Sequence, residues 1–186
     1  LEDVYQQSRV TQELRRQDWR EQLTCVYQPQ INVATGHIVG VETLIRWHHP
    51  QLGTISPADF IPLAESEGLI SPIGSWILSQ ACEQGQRWQK MHNWKLRIAV
   101  NVSAIQFNSP DMLNIVRNTL AASGLPNHLL ELELTETALI SDKDAIISTL
   151  LALKTLGVQL AIDDFGTGYS SLAYLKDFPV DRIKID

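Results

Sequence analysis

Residues 130–136 read LELELTE, leucine and acid in strict alternation. Successive side chains of a β-strand point to opposite faces, so Leu130, Leu132 and Leu134 share one face and Glu131 and Glu133 the other. One such strand would suit a sheet half-exposed to water. Its neighbours along the chain repeat the pattern. In GVETLIRW (40–47), Val41, Thr43 and Ile45 oppose Glu42, Leu44 and Arg46. In RIAVNVS (97–103), Ile98, Val100 and Val102 oppose Ala99, Asn101 and Ser103. In QLAIDD (159–164), Ala161 and Asp163 oppose Leu160 and Ile162, and in RIKID (182–186) Ile183 and Ile185 oppose Arg182, Lys184 and Asp186. The early YQPQI (27–31) adds Gln28 and Gln30.

These runs define six expected strands: 25–31, 37–47, 97–103, 129–135, 159–164 and 182–186. Only NVATG separates the first two, a hairpin-length turn that makes them antiparallel. Helical segments separate the others, as in parallel βα units. The fold class is therefore α/β, either a barrel or an open doubly wound sheet. The absence of any G-x-G-x-x-G or Walker-type loop lowers the nucleotide-fold alternative. In a parallel barrel both strand faces should be largely apolar, except at the C-terminal strand ends that carry the chemistry. Six strands that each have one polar face point to a shared polar interior at one end of a barrel.

Helix starts are marked by Ser56-Pro57, Ser71-Pro72 and Ser109-Pro110, each an N-cap serine followed by a first-turn proline. Ser141 with Asp144 opens another helix, and Gly157 stops it. Residues 1–23 are polar and free of Gly and Pro, with a weak apolar stripe of Val4, Val10 and Leu14. They read either as a linker helix from an upstream domain or as an ordinary first helix. The chain does not begin with Met and is expected to be a piece of a longer protein.

At 186 residues and 44% hydrophobic, the chain can bury one sizeable core. No apolar run is long enough to span a bilayer, and the start does not resemble a signal peptide. Cys25 and Cys82 fit no metal or redox spacing and read as buried free thiols in a reducing compartment. A net charge of −6 argues against a nucleic-acid polymer as partner. It still permits a small anion held through metal ions.

Carboxylates collected in an interior protonate, pair or bind a cation. Glu42, Glu133, Asp163 and Asp164, with the Asn101 amide, form an all-oxygen set that favours Mg²⁺ or Mn²⁺ over structural zinc. Asp163 and Asp164 diverge, yet at a strand end both can reach a metal pair. Two metals about 3.5–4 Å apart are usual for phosphodiester hydrolysis. Plainer roles compete for the same residues. Glu131 suits a structural salt bridge, Asn101 alone could satisfy backbone groups, and Lys184 could simply balance acid charge. His48 and His49 read as loop residues beyond the strand end, and Trp76 and Trp88 as helix packing.

Together YQPQI, GVETLIRWHHP, VNVSAIQF, LELTETALI and AIDDFGTGYSSLAYLKDFPVDRIKID resemble the EAL domain, over about residues 23–186. Residues 1–22 are left as a linker or signalling helix. The resemblance implies a TIM-like (β/α)8 barrel with antiparallel first strands, of which about six strands lie within this chain. It implies hydrolysis of cyclic di-GMP to linear pGpG by a two-metal Mg²⁺ or Mn²⁺ site. Glu42, Asn101, Glu133, Asp163 and Asp164 then look like metal ligands, and Lys184 like the residue that contacts the attacking water or scissile phosphate. Gln28, Leu44 and Arg46 look like substrate contacts, and Glu136 like the residue holding the loop that begins at Phe165 and Gly166 and couples to a dimer. A homodimer, an upstream sensor or cyclase domain, and a cytoplasmic domain in a parent that could be membrane-tethered also follow from the resemblance.

Two departures stand out. The signature triplet is Glu42-Thr43-Leu44 rather than Glu-Ala-Leu, but Thr43 lies on the face away from Glu42 and should be tolerated. The family barrel also continues past KID with two strands carrying a general-base glutamate and a glutamine. A (β/α)8 barrel typically takes about 250 residues. The alternative reading is a catalytically inactive EAL domain acting as a cyclic di-GMP receptor. An enolase-like Mg²⁺ barrel is weaker, because DDFGTGYSS and NVS do not suit it.

Overall fold

The computed structural model describes residues 2–16, 19–139, 143–166 and 177–185. One mixed sheet runs through it: β1 (Leu23–Ile31), β2 (Ile38–His49), β3 (Gly53–Ile55), β4 (Arg97–Val102), β5 (Leu130–Thr135), β6 (Gln159–Asp163) and β7 (Arg182–Ile183). The order is β1-β2-β4-β5-β6-β7, with β3 added on β2. β1 and β2 pair antiparallel, as the short NVATG turn dictates, and β2, β4, β5, β6 and β7 pair in parallel. The fold is α/β, a partial TIM-like barrel wall whose first strands are antiparallel.

Three expectations are corrected. β3 makes seven strands rather than six. It has only three residues and no alternation long enough to read, but it closes a second hairpin on the end of β2. That hairpin extends β2 to His49, so His48 and His49 are strand residues, not loop. β7 is two residues long, and Ile183 and Ile185 are exposed, so the expected apolar face of this strand is not covered among the described residues.

The helices are α1 (Glu2–Arg15), α2 (Trp19–Gln22), α3 (Pro57–Ser66), α4 (Ile70–His92), α5 (Ala104–Phe107), α6 (Met112–Ser123) and α7 (Lys143–Leu156). Ser56 caps α3 as expected, accepting the Ala58 amide. The other two Ser-Pro starts do not hold. α4 begins before Ser71 with Leu69 at its cap, placing Pro72 inside the first turn, where a missing N–H costs nothing. Ser109 accepts the Asp111 amide in a turn, and Asp111 itself caps α6. Gly157 follows α7 with φ 97°, a conformation that a Cβ would strain. Ser141 lies outside the described residues.

The greasy faces do what their alternation implies. Leu130, Leu132, Leu134, Leu160 and Ile162 are fully buried against the helices, as are Ile73 and Ala81 of α4. Trp76 and Trp88 pack against this core, in agreement with the helix-packing reading. α4 crosses β4 at Gly85, where a Cβ would come within 2.6 Å of Ile98, so only glycine permits this approach. Cys25 and Cys82 are free, and burial pushes their thiols up to about 11 and about 12. Both stay protonated and unreactive at neutral pH.

The expected helix over 1–23 is two helices. α1 is not merely solvated: Leu14 is buried, Arg15 pairs with Glu67 at the C-cap of α3, and Glu13 meets His49 of β2. Among the described residues no helix is long and apolar enough to cross a membrane.

Thr43, the middle residue of the signature triplet, is 3% exposed and its hydroxyl has no hydrogen-bond partner among the described residues. A buried hydroxyl in that state is costly. Thr43→Val keeps the shape and removes the hydroxyl, and it should raise the free energy of unfolding by about 1 kcal/mol, read from the urea midpoint at unchanged m-value.

Candidate metal and phosphate site

The polar faces of the strands meet on one side of the sheet in two tiers. Strand register sets the tiers. Asn101 lies beside Glu133, and Ala99 beside both Glu42 and Glu131. Ala161 lies beside both Glu133 and Arg182. The two alanines leave the width that the long acids and bases need.

The lower tier is an ion network. Glu131, fully buried, sits 3.0 Å from Arg97 Nε and 3.3 Å from Arg182 Nε. Arg97 Nη2 also donates to Gln30 Oε1 at 2.7 Å. A Cβ on Gly40 would stand 2.9 Å from the Arg97 carbonyl and 3.0 Å from Gln30 Oε1, so glycine makes room for this tier. Burial raises the Glu131 carboxyl, and Arg97 and Arg182 pull it back. Glu131 therefore has the structural role expected of it. Arg97 was missed by sequence reasoning, although stepping back by two from Asn101 and Ala99 puts it on the same face.

The upper tier lies toward the C-terminal strand ends. Glu42, Glu133 and Asp163 each offer a carboxylate oxygen, and these lie within 4.8 Å of one another. The Lys184 ammonium sits among them, donating to Glu133 Oε2 at 2.6 Å, Asp163 Oδ2 at 2.9 Å and Glu42 Oε2 at 3.1 Å. Asn101 Nδ2 donates to Glu42 Oε1 at 2.9 Å. Glu133 is 1% exposed, and its Oε1 has no hydrogen-bond partner among the described residues. Burial acts to lower the Lys184 ammonium, but its bonds to Glu133 and Asp163 outweigh this and hold it charged well above neutrality.

Four of the five expected ligands thus converge: Glu42, Asn101, Glu133 and Asp163. Asp164 does not join the three-carboxylate cluster. It is exposed, has φ 54°, and gives its amide to Asp163 Oδ1 at 3.0 Å, because the chain turns left-handed there. Of the expected substrate contacts, Leu44 and Arg46 share the half-buried face of β2 with Glu42, and Gln28 stands directly across from Glu42 on β1. Arg46 Nη1 donates to its neighbour's carbonyl, Ile45, at 2.8 Å. Phe165 packs against the core, and its amide donates to the Lys184 carbonyl at 3.1 Å. Gly166 has φ 98°. The Glu136 side chain and residues 167–176 lie outside the described residues.

The donor set fits a divalent cation. It is all oxygen, it is closely spaced, and it includes one buried carboxylate oxygen left without a partner, which an isolated core would not tolerate. A groove of about 580 Å³ between α1 and α3 lies on the far side of β2–β3 and takes no part in this site.

A family profile described as EAL domain matches residues 11–186. The chain belongs to the EAL domain family. It is 46% identical over 185 residues to the bifunctional diguanylate cyclase/cyclic di-GMP phosphodiesterase MucR of Pseudomonas aeruginosa, covering 99% of this chain and 27% of that protein. An uncharacterised signalling protein of Caulobacter vibrioides is 44% identical, with 100% of this chain and 23% of the relative covered. Such relatives extend well beyond this EAL segment. The structure of PaMucR phosphodiesterase in complex with c-di-GMP superposes with a TM-score of 0.91 at 45% identity, covering 96% of this chain and 72% of that one. The cAMP- and cyclic-di-GMP-bound EAL enzyme Bd1971 gives 0.89 at 30% identity, covering 98% and 50%.

The site has a pH signature of its own. Burial pushes Glu133 up to about 7, the Lys184 bond opposing and the Glu42 and Asp163 charges reinforcing the shift. A carboxyl that holds its proton longer in the folded state makes that state bind more protons between the ordinary value of 4.5 and about 7. Stability contributed by Glu133 therefore falls as pH rises through that window. The metal-free chain minus Glu133→Gln should show a difference on the order of 3 kcal/mol developing from pH 4.5 to 7, followed by urea melts at each pH.

Proposed function

We propose that this EAL domain hydrolyses cyclic di-GMP to linear pGpG with Mg²⁺ or Mn²⁺. The observation that carries the reading is the convergence of Glu42, Glu133 and Asp163, with Asn101, at the strand ends of a barrel wall. The names of the relatives and the cyclic di-GMP complexes among the similar structures support the substrate.

Glu42, Glu133, Asp163 and Asn101 would hold the ions, with Asp164 reaching them only after its chain segment turns inward. Divalent ions there would supply Lewis acidity toward phosphoryl oxygens and a more acidic water. Lys184, already charged and aimed into the cluster, stabilises negative charge that grows on the phosphate. Arg46 offers a planar guanidinium to a phosphate once it leaves the Ile45 carbonyl, and its two parallel donors fix the phosphate's orientation. Leu44 and Gln28 flank the same face and set where the nucleotide lies. In the family, the general-base glutamate that the resemblance implies lies on strands past the position of KID.

Residues 1–22 we infer to be the input helix from an upstream sensor or cyclase domain. Glu13, Leu14 and Arg15 fasten it to β2 and α3, which is what a signal-bearing helix needs. The Phe165 and Gly166 segment, with Glu136, is proposed to couple the site to a homodimer contact in a cytoplasmic domain.

Calorimetric titration of cyclic di-GMP in Ca²⁺, followed by addition of Mg²⁺ or Mn²⁺, tests the reading. Binding followed by pGpG release is expected, and Asp163→Asn should lower turnover by at least about 10²-fold at unchanged fold. Binding without turnover in the whole protein would make it a receptor instead. No binding would end both.

A further inference from the structure

An ammonium has three N–H donors and no acceptor. Lys184 gives all three to the upper tier, one to each of Glu133 Oε2, Asp163 Oδ2 and Glu42 Oε2. These residues are the three that could hold a metal ion. Their other oxygens are largely committed: Glu42 Oε1 accepts from Asn101, and Asp163 Oδ1 from the Asp164 amide. Only Glu133 Oε1 lacks a partner among the described residues. A divalent ion that takes oxygens from more than one of these acids therefore competes with the ammonium for the same atoms.

The backbone around Lys184 is fixed on both sides. Its amide donates to the Ile162 carbonyl at 2.8 Å, and its carbonyl accepts from the Phe165 amide at 3.1 Å. What can yield is the flexible four-carbon stem, not the strand. The side chain is 23% exposed, so the released ammonium swings toward the open side of the cluster rather than into the core.

We propose that Lys184 is the internal counter-ion of this site, holding three mutually repelling carboxylates together when no metal is bound and giving up one or more of them when a divalent cation enters. Cation loading and the freeing of Lys184 for a phosphate oxygen are then one event. This rests on the proposed function, and it adds that the residue assisting the phosphate is withheld until the metal arrives. It also sets a direction for affinity: the lysine opposes the ion it works beside.

The test uses Ca²⁺ as the probe, on the uniformly ¹⁵N-labelled chain. Slow-exchanging lysine ammonium signals are recorded by ¹H–¹⁵N correlation, with Lys184 assigned by its loss in Lys184→Arg. The metal-free chain should show a protected Lys184 signal that shifts or vanishes with the same midpoint as the calorimetric Ca²⁺ isotherm, an isotherm that Asp163→Asn removes. Lys184→Met should bind Ca²⁺ at least about tenfold tighter and unfold at lower temperature without metal, with a larger rise on adding Ca²⁺. Calcium heat with an unmoved Lys184 signal overturns the inference and leaves the proposed function standing. The absence of any Ca²⁺ heat removes the metal site, and both readings with it. If Lys184→Met does not fold, the signal in the unsubstituted chain still decides.

Discussion

Three carboxylates within 4.8 Å of one another, one of them 1% exposed, are the constraint around which this molecule is arranged. Like charges at that spacing in a medium poorer than water repel by several kcal/mol unless a cation compensates them. Once Glu42, Glu133 and Asp163 alternate with core residues on β2, β5 and β6, burying the apolar faces forces the acids together. The compensation must come from the same side of the sheet, and it does, as Lys184 just after β7. The acid cluster is thus a consequence of packing the core correctly, not a feature added to a finished barrel.

The two tiers solve the same problem in different ways, and the difference separates structure from chemistry. Below, two arginines flank one glutamate at ion-pair distance, 3.0 and 3.3 Å, without hydrogen-bond geometry at these atoms, leaving one net positive charge. Above, one lysine faces three acids, leaving two net negative charges once Glu133 has ionised, and a carboxylate oxygen without a partner among the described residues. Removing one partner of such a network exposes an uncompensated charge, so the lower tier is built for permanence. The upper tier is under-compensated by design of its residue types, which is the electrostatic condition for taking up a cation.

How much of this was legible follows from the range of the signal. Alternation is local, so LELELTE and GVETLIRW announced their faces, and the short NVATG turn announced an antiparallel pair. The converging residues Glu42, Asn101, Glu133, Asp163 and Lys184 could be read for the same reason: each repeats at period two within its own strand. Asp164 could not, because a positive φ at one residue breaks the period and no composition signal marks it. His49 was read as loop, yet it is buried, accepts the Gln51 and Leu52 amides at Nδ1, and meets Glu13 at Nε2. Those contacts come from the turn that leads into a three-residue strand and from a helix residue 36 positions away, neither of which leaves an alternating pattern. Ser109-Pro110 misled at α6 because a serine hydroxyl can bond a turn amide as readily as a helix amide, while at α4 the helix begins one residue before Ser71.

The counter-ion follows directly on the strand with the least support. Among the described residues β7 pairs with β6 alone and spans two residues, and Ile183 and, just past the strand, Ile185 are exposed, while β5 is paired on both sides and wholly buried apart from Thr135. Local stability follows buried contact, so the segment bearing Lys184 should open at lower free energy than the strands bearing Glu42 and Glu133. Its remaining ties are few and specific: the Ile162 and Phe165 backbone bonds, the Arg182–Glu131 pair, and Lys154 with the Leu160 amide on Asp181. Two of these ties are ionic and reach into or beside the polar interior. The lower tier therefore does more than satisfy Glu131. By holding Arg182 it sets the register of β7, and with it the position from which the Lys184 ammonium reaches the three acids above.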